Sequence, residues 1–513
     1  MESSWKSQIE AWDTRVKAGD GHAVAREIAL VPRGKMPVEM LSQVANIAWR
    51  VNRPDVGLRL LYSELRRQNN LKIMTHPRAF TEYAACLLEV GAIAEAKRIL
   101  IKLQDSAPRS KFYYALLLFK EWDYKTASHL LEKYVSEIPN DYHQIVARVN
   151  LSSAYVNTQQ WEKAHLLLKD LQAELASKEH WLLLGNCLEI ESQIHFELQN
   201  FEEALNCLKK SEIHLSKTKN MGWLYCKKWQ FLNRLYQSKS GIKTQAMDMS
   251  STQFRDFECE ILELRKLAIQ MRSWETLREL DLHWALQTGD SQLITHVYFG
   301  SPEPRYRQKI SQMTSAKPNM IVADTCVWLA QNGRGIAEDS PDLIDISRTV
   351  LSGKENSQSY LMKKLLLTLV SDFYAPFRVG QLFSALFEND FYDTETSPDR
   401  IFQIVRRLRA WLMQNHPGCE VVSSAKAYRL RFAASCGVKL SREIVEAAVK
   451  NKSNVHYLFL REHFHHATFS SVDLSARLRC STRTANRVLK ELKCQGKVLS
   501  EGRGRFTRFK LSS

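Results

Sequence analysis

Between Ser481 and Lys490 the chain reads STRTANRVLK, a run in which hydroxyls, an asparagine and cations recur at helical spacing. Ser481 is a natural N-cap residue. Ala485, Val488, Leu489 and Leu492 fall at i, i+3, i+4 and i+7, the buried stripe of an amphipathic helix. The opposite face then presents Thr482, Arg483, Asn486, Arg487 and Lys490, with Ser481 and Thr484 beside them in the first turn. Cations meet phosphates and guanine edges, asparagine pairs with adenine, and hydroxyls bind either, so this helix suits a DNA major groove. Gly496 ends it, and VLSEGRGRFTRFKL follows as two short strands around a glycine turn that carries Arg503, Arg505 and Arg508. The expected partner of these residues is double-stranded DNA.

A second set lies upstream. In SPDRIFQIVRRLRAWLMQNH, Ile401, Val405, Leu408 and Leu412 form a stripe that leaves Arg400, Arg407 and Arg409 outside as secondary candidates for DNA contact. Phe402 and Ile404 add apolar side chains to that helix, so contact with DNA, phosphate holding alone and dimerisation remain equal readings of it.

Charge supports the order of these two sets. The chain of 513 residues carries a formal net charge of +16, and residues 452–513 hold 13 Lys and Arg against 4 Asp and Glu, a net +9. Concentrated positive charge is the footprint of a face that meets phosphates. The ten cysteines include no CxxC pair, which fits free thiols in a reducing compartment. No apolar run reaches the roughly 20 residues of a membrane span, and MESSWKSQIEAW does not read as a secretory signal. The expected location is the cytoplasm, at a bacterial nucleoid. Neither GxxxxGK[ST], HExxH nor GxSxG occurs. In the cluster His463, His465 and His466 near Cys480 and Cys494, His463 and His466 are three apart and would permit shared ligation. A tetrahedral zinc needs a defined pair for the rest, and partly exposed helix histidines are far commoner. The reading is a chain that is not an enzyme and needs no cofactor or metal.

The elements that must position these residues begin with a repeat. Gly57, Ala96, Ala127, Ala164 and Ala204 each follow a small residue by twelve positions: Ala45, Ala84, Ala115, Ser152 and Ser192. Each precedes a leucine by four: Leu61, Leu100, Leu131, Leu168 and Leu208. Small residues let two helices approach, and a leucine one turn on fills the seam. FYYALLLFKEWDYKTASHLLEKYVSEIPN is one clean unit, with a turn near Glu121–Asp123 and Pro139 as a stop. Trp161 and Phe201 place an aromatic three residues before the alanine, and Trp274 holds that aromatic position in a weaker unit where no alanine follows.

Residues 38–215 thus resemble the tetratricopeptide repeat, although the marker spacings of 39, 31, 37 and 40 are irregular. That resemblance implies a solenoid whose groove holds a peptide or protein partner. Residues 452–513 resemble winged helix-turn-helix domains. Residues 359–433, through RRLRAWL and AYRL, resemble the output domain of response regulators and related bacterial activators, with Ala425 and Ala427 where that family carries glycines.

The expected fold class is mainly α: an N-terminal α-solenoid like the tetratricopeptide repeat, then two winged-helix (α+β) domains. The expected boundaries are N-terminal cap helices at 1–37, repeats at 38–310, a linker at 311–358, a first winged helix at 359–433, a linker helix at 434–451 and a second winged helix at 452–513. This arrangement predicts a DNA-binding transcription regulator, homodimeric, whose repeats take a peptide or protein and control the output domains. The rival is a scaffold subunit like those of the proteasome lid, where helical repeats end in a winged helix used for assembly.

Overall fold

The computed structural model describes residues 2–17, 20–32, 36–70, 75–139, 141–216, 221–240, 252–315, 320–329, 343–346, 357–424, 426–433, 436–450, 457, 460, 464, 467–478, 482–494, 496–502 and 507–511. The described chain is mainly α-helical, with small sheets confined to its C-terminal part. It divides into two compact units, Met1–Asp290 with Arg378–Pro398, and Ser291–Phe377 with Asp399–Ser513.

The first unit is a stack of antiparallel helix pairs. After α1 (Glu2–Lys17) and α2 (Gly21–Ala29) come α3 (Val38–Arg50), α4 (Pro54–Asn70), α5 (Pro77–Val90), α6 (Ile93–Leu103), α7 (Pro108–Lys120) and α8 (Tyr124–Glu137). The series continues through α9 (Tyr142–Asn157), α10 (Trp161–Ser177), α11 (Trp181–Glu197), α12 (Phe201–Leu215), α13 (Met221–Ser240), α14 (Thr252–Gln270) and α15 (Trp274–Thr288). The small and leucine positions of the repeat all lie in its seams: Ala45, Ala84, Ala115, Ser152 and Ser192, their partners Ala96, Ala127, Ala164 and Ala204, and the five leucines each have 0 % exposure. Gly57 leaves no room for a side chain. A Cβ there would sit 2.6 Å from the Cys86 sulfur and 3.2 Å from the Ala45 backbone. Pro108 occupies the first turn of α7, where its missing N–H is not needed.

The turns repeat as faithfully as the seams. Asn52, Trp122, Gln159, Glu179, Gln199 and Arg272 all have φ between 55° and 60°, and Gly91 has φ 89°. Each is followed by an amide that reaches back to the preceding helix, as in Asp123 N–H to Leu118 O (2.8 Å) and Asn200 N–H to His195 O (2.8 Å). This left-handed stop satisfies the last carbonyls of one helix and turns the chain into the next. Ser273 N–H to Ala268 O (2.8 Å) repeats it before Trp274, so the α14–α15 turn keeps the geometry where the sequence marks had faded.

The second unit departs from the expected boundaries. Residues from Ser291 onward belong to it rather than to the repeats, beginning with α16 (Ser291–Phe299) and α17 (Pro304–Ser315). Segments 311–358 and 434–451, read above as linkers, supply strands of one sheet. β1 (Thr325–Trp328) pairs antiparallel and β2 (Leu343–Asp345) parallel with the strand Gly437–Ser441 between them. The strand partners are far apart along the chain, so no local pattern announced them. Trp328 stacks on Phe373 (4.6 Å) and meets Phe432 edge-on (5.0 Å). This joins that sheet to a hairpin, β4 (Cys419–Ser424) with β5 (Ala427–Phe432), which β3 (Phe377–Arg378) extends as an edge.

Adding one methyl at the Gly57 seam is a direct test of this packing. Gly57→Ala is expected to cost about 1–3 kcal/mol in urea unfolding followed by circular dichroism, because core overpacking is resisted. Leu198→Ala, at a side chain 51 % exposed, is expected to stay within about 0.5 kcal/mol of the parent.

Candidate nucleic-acid interface

The C-terminal end of the second unit closes around one small core. Leu460, Phe464, Phe469 and Leu474 pack against Ala485, Val488, Leu489 and Leu492, with Val498 beneath. Phe464 and Phe469 stack at 4.2 Å. The four residues of the expected stripe are 0–5 % exposed, so the helix Thr482–Cys494 shows its opposite side to solvent. Its stop is again left-handed: Gly496 has φ 69°, and Lys497 N–H reaches Leu492 O (3.0 Å).

The helix Ser471–Leu478 before it carries a reciprocal cap. Asp473 accepts from the Ser470 amide at 2.8 Å, while Ser470 Oγ accepts from the Asp473 amide at 3.1 Å. Those bonds hold the Asp473 carboxyl below the usual aspartate range, with the charge of Arg508 helping. The hairpin of Val498–Glu501 and Arg508–Leu511 is antiparallel, and Phe469 adds a third strand position by exchanging both backbone bonds with Phe509 (2.9 and 2.7 Å).

Against this frame, Thr482, Asn486 and Lys490 are exposed on one face of the helix. Arg483, Thr484 and Arg487 lie on the same helix, but their side chains are outside the described residues, as are Ser481, Arg503 and Arg505. The histidine cluster, His463, His465 and His466, also falls outside them. Arg508 is exposed and faces Asp473 at 3.4 Å, so it ties the hairpin to the capped helix. Part of the +9 is likewise spent at home: Lys510 pairs with Glu501 (2.6 Å), Lys493 donates to Ser500 Oγ (2.6 Å), and Arg477 sits over the Phe464 ring (5.1 Å). Sequence spacing could not separate these fastening cations from outward ones, because their partners come from other elements.

The upstream set behaves differently. On the helix Ser397–Asn415, Arg400, Arg407 and Arg409 are exposed, and Ile401, Ile404, Val405, Leu408 and Leu412 are buried. Arg409 donates through Nε to Val421 O (2.8 Å), which fastens this helix to the β4–β5 hairpin. Phe402 and Met413 stand out at 46 % and 73 % exposure, an apolar presence on the outer side.

Within the first unit, polar groups line successive odd-numbered helices. Glu82 on α5 is buried and accepts from Asn46 (2.9 Å), Tyr113 (3.1 Å) and Trp49 (3.3 Å), with Arg109 at 3.4 Å. Further along, Lys228 on α13 pairs with Glu279 on α15 and lies 4.5 Å over the Trp229 ring. Burial holds the neighbouring Glu189 carboxyl up at about 7, against the pull of Lys228. These charges answer one another inside the stack.

Compared with known proteins, the chain matches no family profile and no curated protein sequence. Among the described residues, no helix is long and apolar enough to cross a membrane.

Two measurements follow from this geometry. Asp473→Ala is expected to cost about 1 kcal/mol by loss of the cap, and to loosen the hairpin through Arg508. The Asp473 contribution is complete above the ordinary aspartate pKa and disappears as pH falls through its depressed value. Glu189 runs the other way: its raised pKa means stability is greatest below about 4.5 and declines as pH rises through about 7. In Glu189→Gln, thermal unfolding of the repeat is expected to lose that slope.

Proposed function

We propose that this chain is a DNA-binding transcription regulator that reads duplex DNA with the helix Thr482–Cys494 and its hairpin. One observation carries the reading. The buried stripe of that helix fixes its rotation so that Thr482, Asn486 and Lys490 share the solvent face. A hydroxyl, an amide and a cation on one face match the donors and acceptors of a major groove. In this reading residues 452–513 form a winged helix, a proposal supported by the helix order and by Phe469 bridging to the hairpin. Residues 359–433 form a second one, related to response-regulator output domains, whose part is to fix geometry or dimerise. Helix pairs of the tetratricopeptide kind, supported by the seams and left-handed turns, supply the surface for a peptide or protein partner. The protein acts as a homodimer at the nucleoid.

A scaffold role, like that of proteasome-lid subunits, is the second reading. It is favoured by Val472 and Leu499, which are 61 % and 49 % exposed on the same C-terminal fold.

Fluorescence anisotropy of the full chain with labelled duplexes separates the two. The regulator reading expects log Kd to climb linearly with log salt, because bound cations release counterions from phosphates. Lys490→Ala is expected to weaken binding to all duplexes and lower the salt slope by about 1, while Asn486→Ala costs about 1–3 kcal/mol and relaxes sequence preference. Salt-insensitive or absent binding, with a stable complex formed only with other protein chains, would sink the regulator reading and leave the scaffold.

A further inference from the structure

The segment Arg378–Pro398 belongs to the helical first unit, although the chain on both sides of it belongs to the second. It comprises the short helix Val379–Leu386 and the loop that follows, and it sits on α5 and α6. The backbones meet directly. A Cβ on Gly380 would lie 2.3 Å from Val90 O, and one on Gly91 would lie 2.5 Å from the Gln381 side chain. At one end, Arg378 donates to Glu89 O (2.6 Å). At the other, Arg98 donates to Glu388 O and to Asp390 O (3.1 Å). In between, the Glu95 carboxylate, 4 % exposed, accepts the Tyr392 amide at 2.6 Å. Arg66 and Arg98 lie 5.5 and 5.9 Å from the centre of the Phe391 ring. Burial raises the Glu95 carboxyl to about 7, opposed by this amide bond and by the two arginines.

The composition of this contact separates it from the repeat seams. Those seams are small residues and leucines with no exposure. Here two arginines and a glutamate grip main-chain groups around Phe383 and Tyr392 (5.5 Å apart), and the same helix also buries Leu382 and Leu386. Polar grips on main-chain groups mark a docked segment more than a continuous core, although this segment and its socket belong to one unit. A grip on main-chain atoms also reads the shape of the segment, so it is lost at once when that shape changes.

We propose that Arg378–Pro398 is a latch, held in a socket on α5–α6 by Glu95 and Arg98, whose release frees the helix Val379–Leu386. The helix lies within the candidate output fold of 359–433, so a partner that reshapes α5–α6 would act on that fold through the latch. The consequence for DNA rests on the regulator reading; the latch itself does not.

Amide hydrogen exchange of the full chain tests it, with Glu95→Leu and Arg98→Ala as separate variants and α10 (Trp161–Ser177) as the internal reference. The expected result is exchange at least tenfold faster across 379–398 in one or both variants while α10 keeps its protection. The latch is overturned if protection of 379–398 is unchanged in both variants, or if it is lost only together with α10. The same variants are then titrated with labelled duplex. Absence of DNA binding by parent and variants alike would remove the regulator reading and leave a selective exchange result standing as evidence for the latch.

Discussion

Five successive helix pairs of the first unit, α3–α4 to α11–α12, depend on a side chain too small to hold its neighbour away. Ala96, Ala127, Ala164 and Ala204 sit at zero exposure opposite Ala84, Ala115, Ser152 and Ser192, and Gly57 opposite Ala45 lacks room even for a methyl. Interiors pack at crystal-like density, so a few tenths of an ångström at such a seam must be absorbed along the stack. The leucine one turn later fills the space that the close approach leaves. The left-handed turns make this economical, because one amide both closes the old helix and aims the new one. Position along this stack in turn decides what each helix can present.

The seam pattern was legible because it is local: twelve back, four forward, five times over. The turn residues were not. Asn52, Trp122, Gln159, Glu179, Gln199 and Arg272 adopt positive φ although none is glycine, each followed by an amide that closes the preceding helix on its own carbonyl. The sheet built from Thr325–Trp328, Leu343–Asp345 and Gly437–Ser441 was also hidden, since its order follows pairings across long stretches of chain. Two stretches that looked like linkers are therefore structural. Equally, nothing in RVGQLFSALFENDFY announced that it would join the repeat unit, because its partners Glu89, Glu95 and Arg98 belong to helices far upstream.

The candidate interface was legible in part. The stripe Ala485, Val488, Leu489 and Leu492 is buried as its period implied, and that burial turns Thr482, Asn486 and Lys490 outward. What the period could not reveal is the internal use of charge. Arg508 faces Asp473, Lys510 faces Glu501, and Arg409 is bonded to the Val421 carbonyl. Net charge over a segment thus overstates the charge available to a partner, and the exposed helix face is the better guide. In the proposed account the repeats receive a signal, Arg378–Pro398 couples them to the output fold, and the last helix with its hairpin meets DNA.

That final step is the central claim, and hydrogen exchange with and without duplex DNA addresses it most directly. At low salt, the account predicts added protection concentrated in 482–494 and the 498–511 hairpin, reversed as salt is raised. Protection that falls on the repeat helices instead, or none anywhere at duplex concentrations that saturate basic DNA-binding domains, would contradict it.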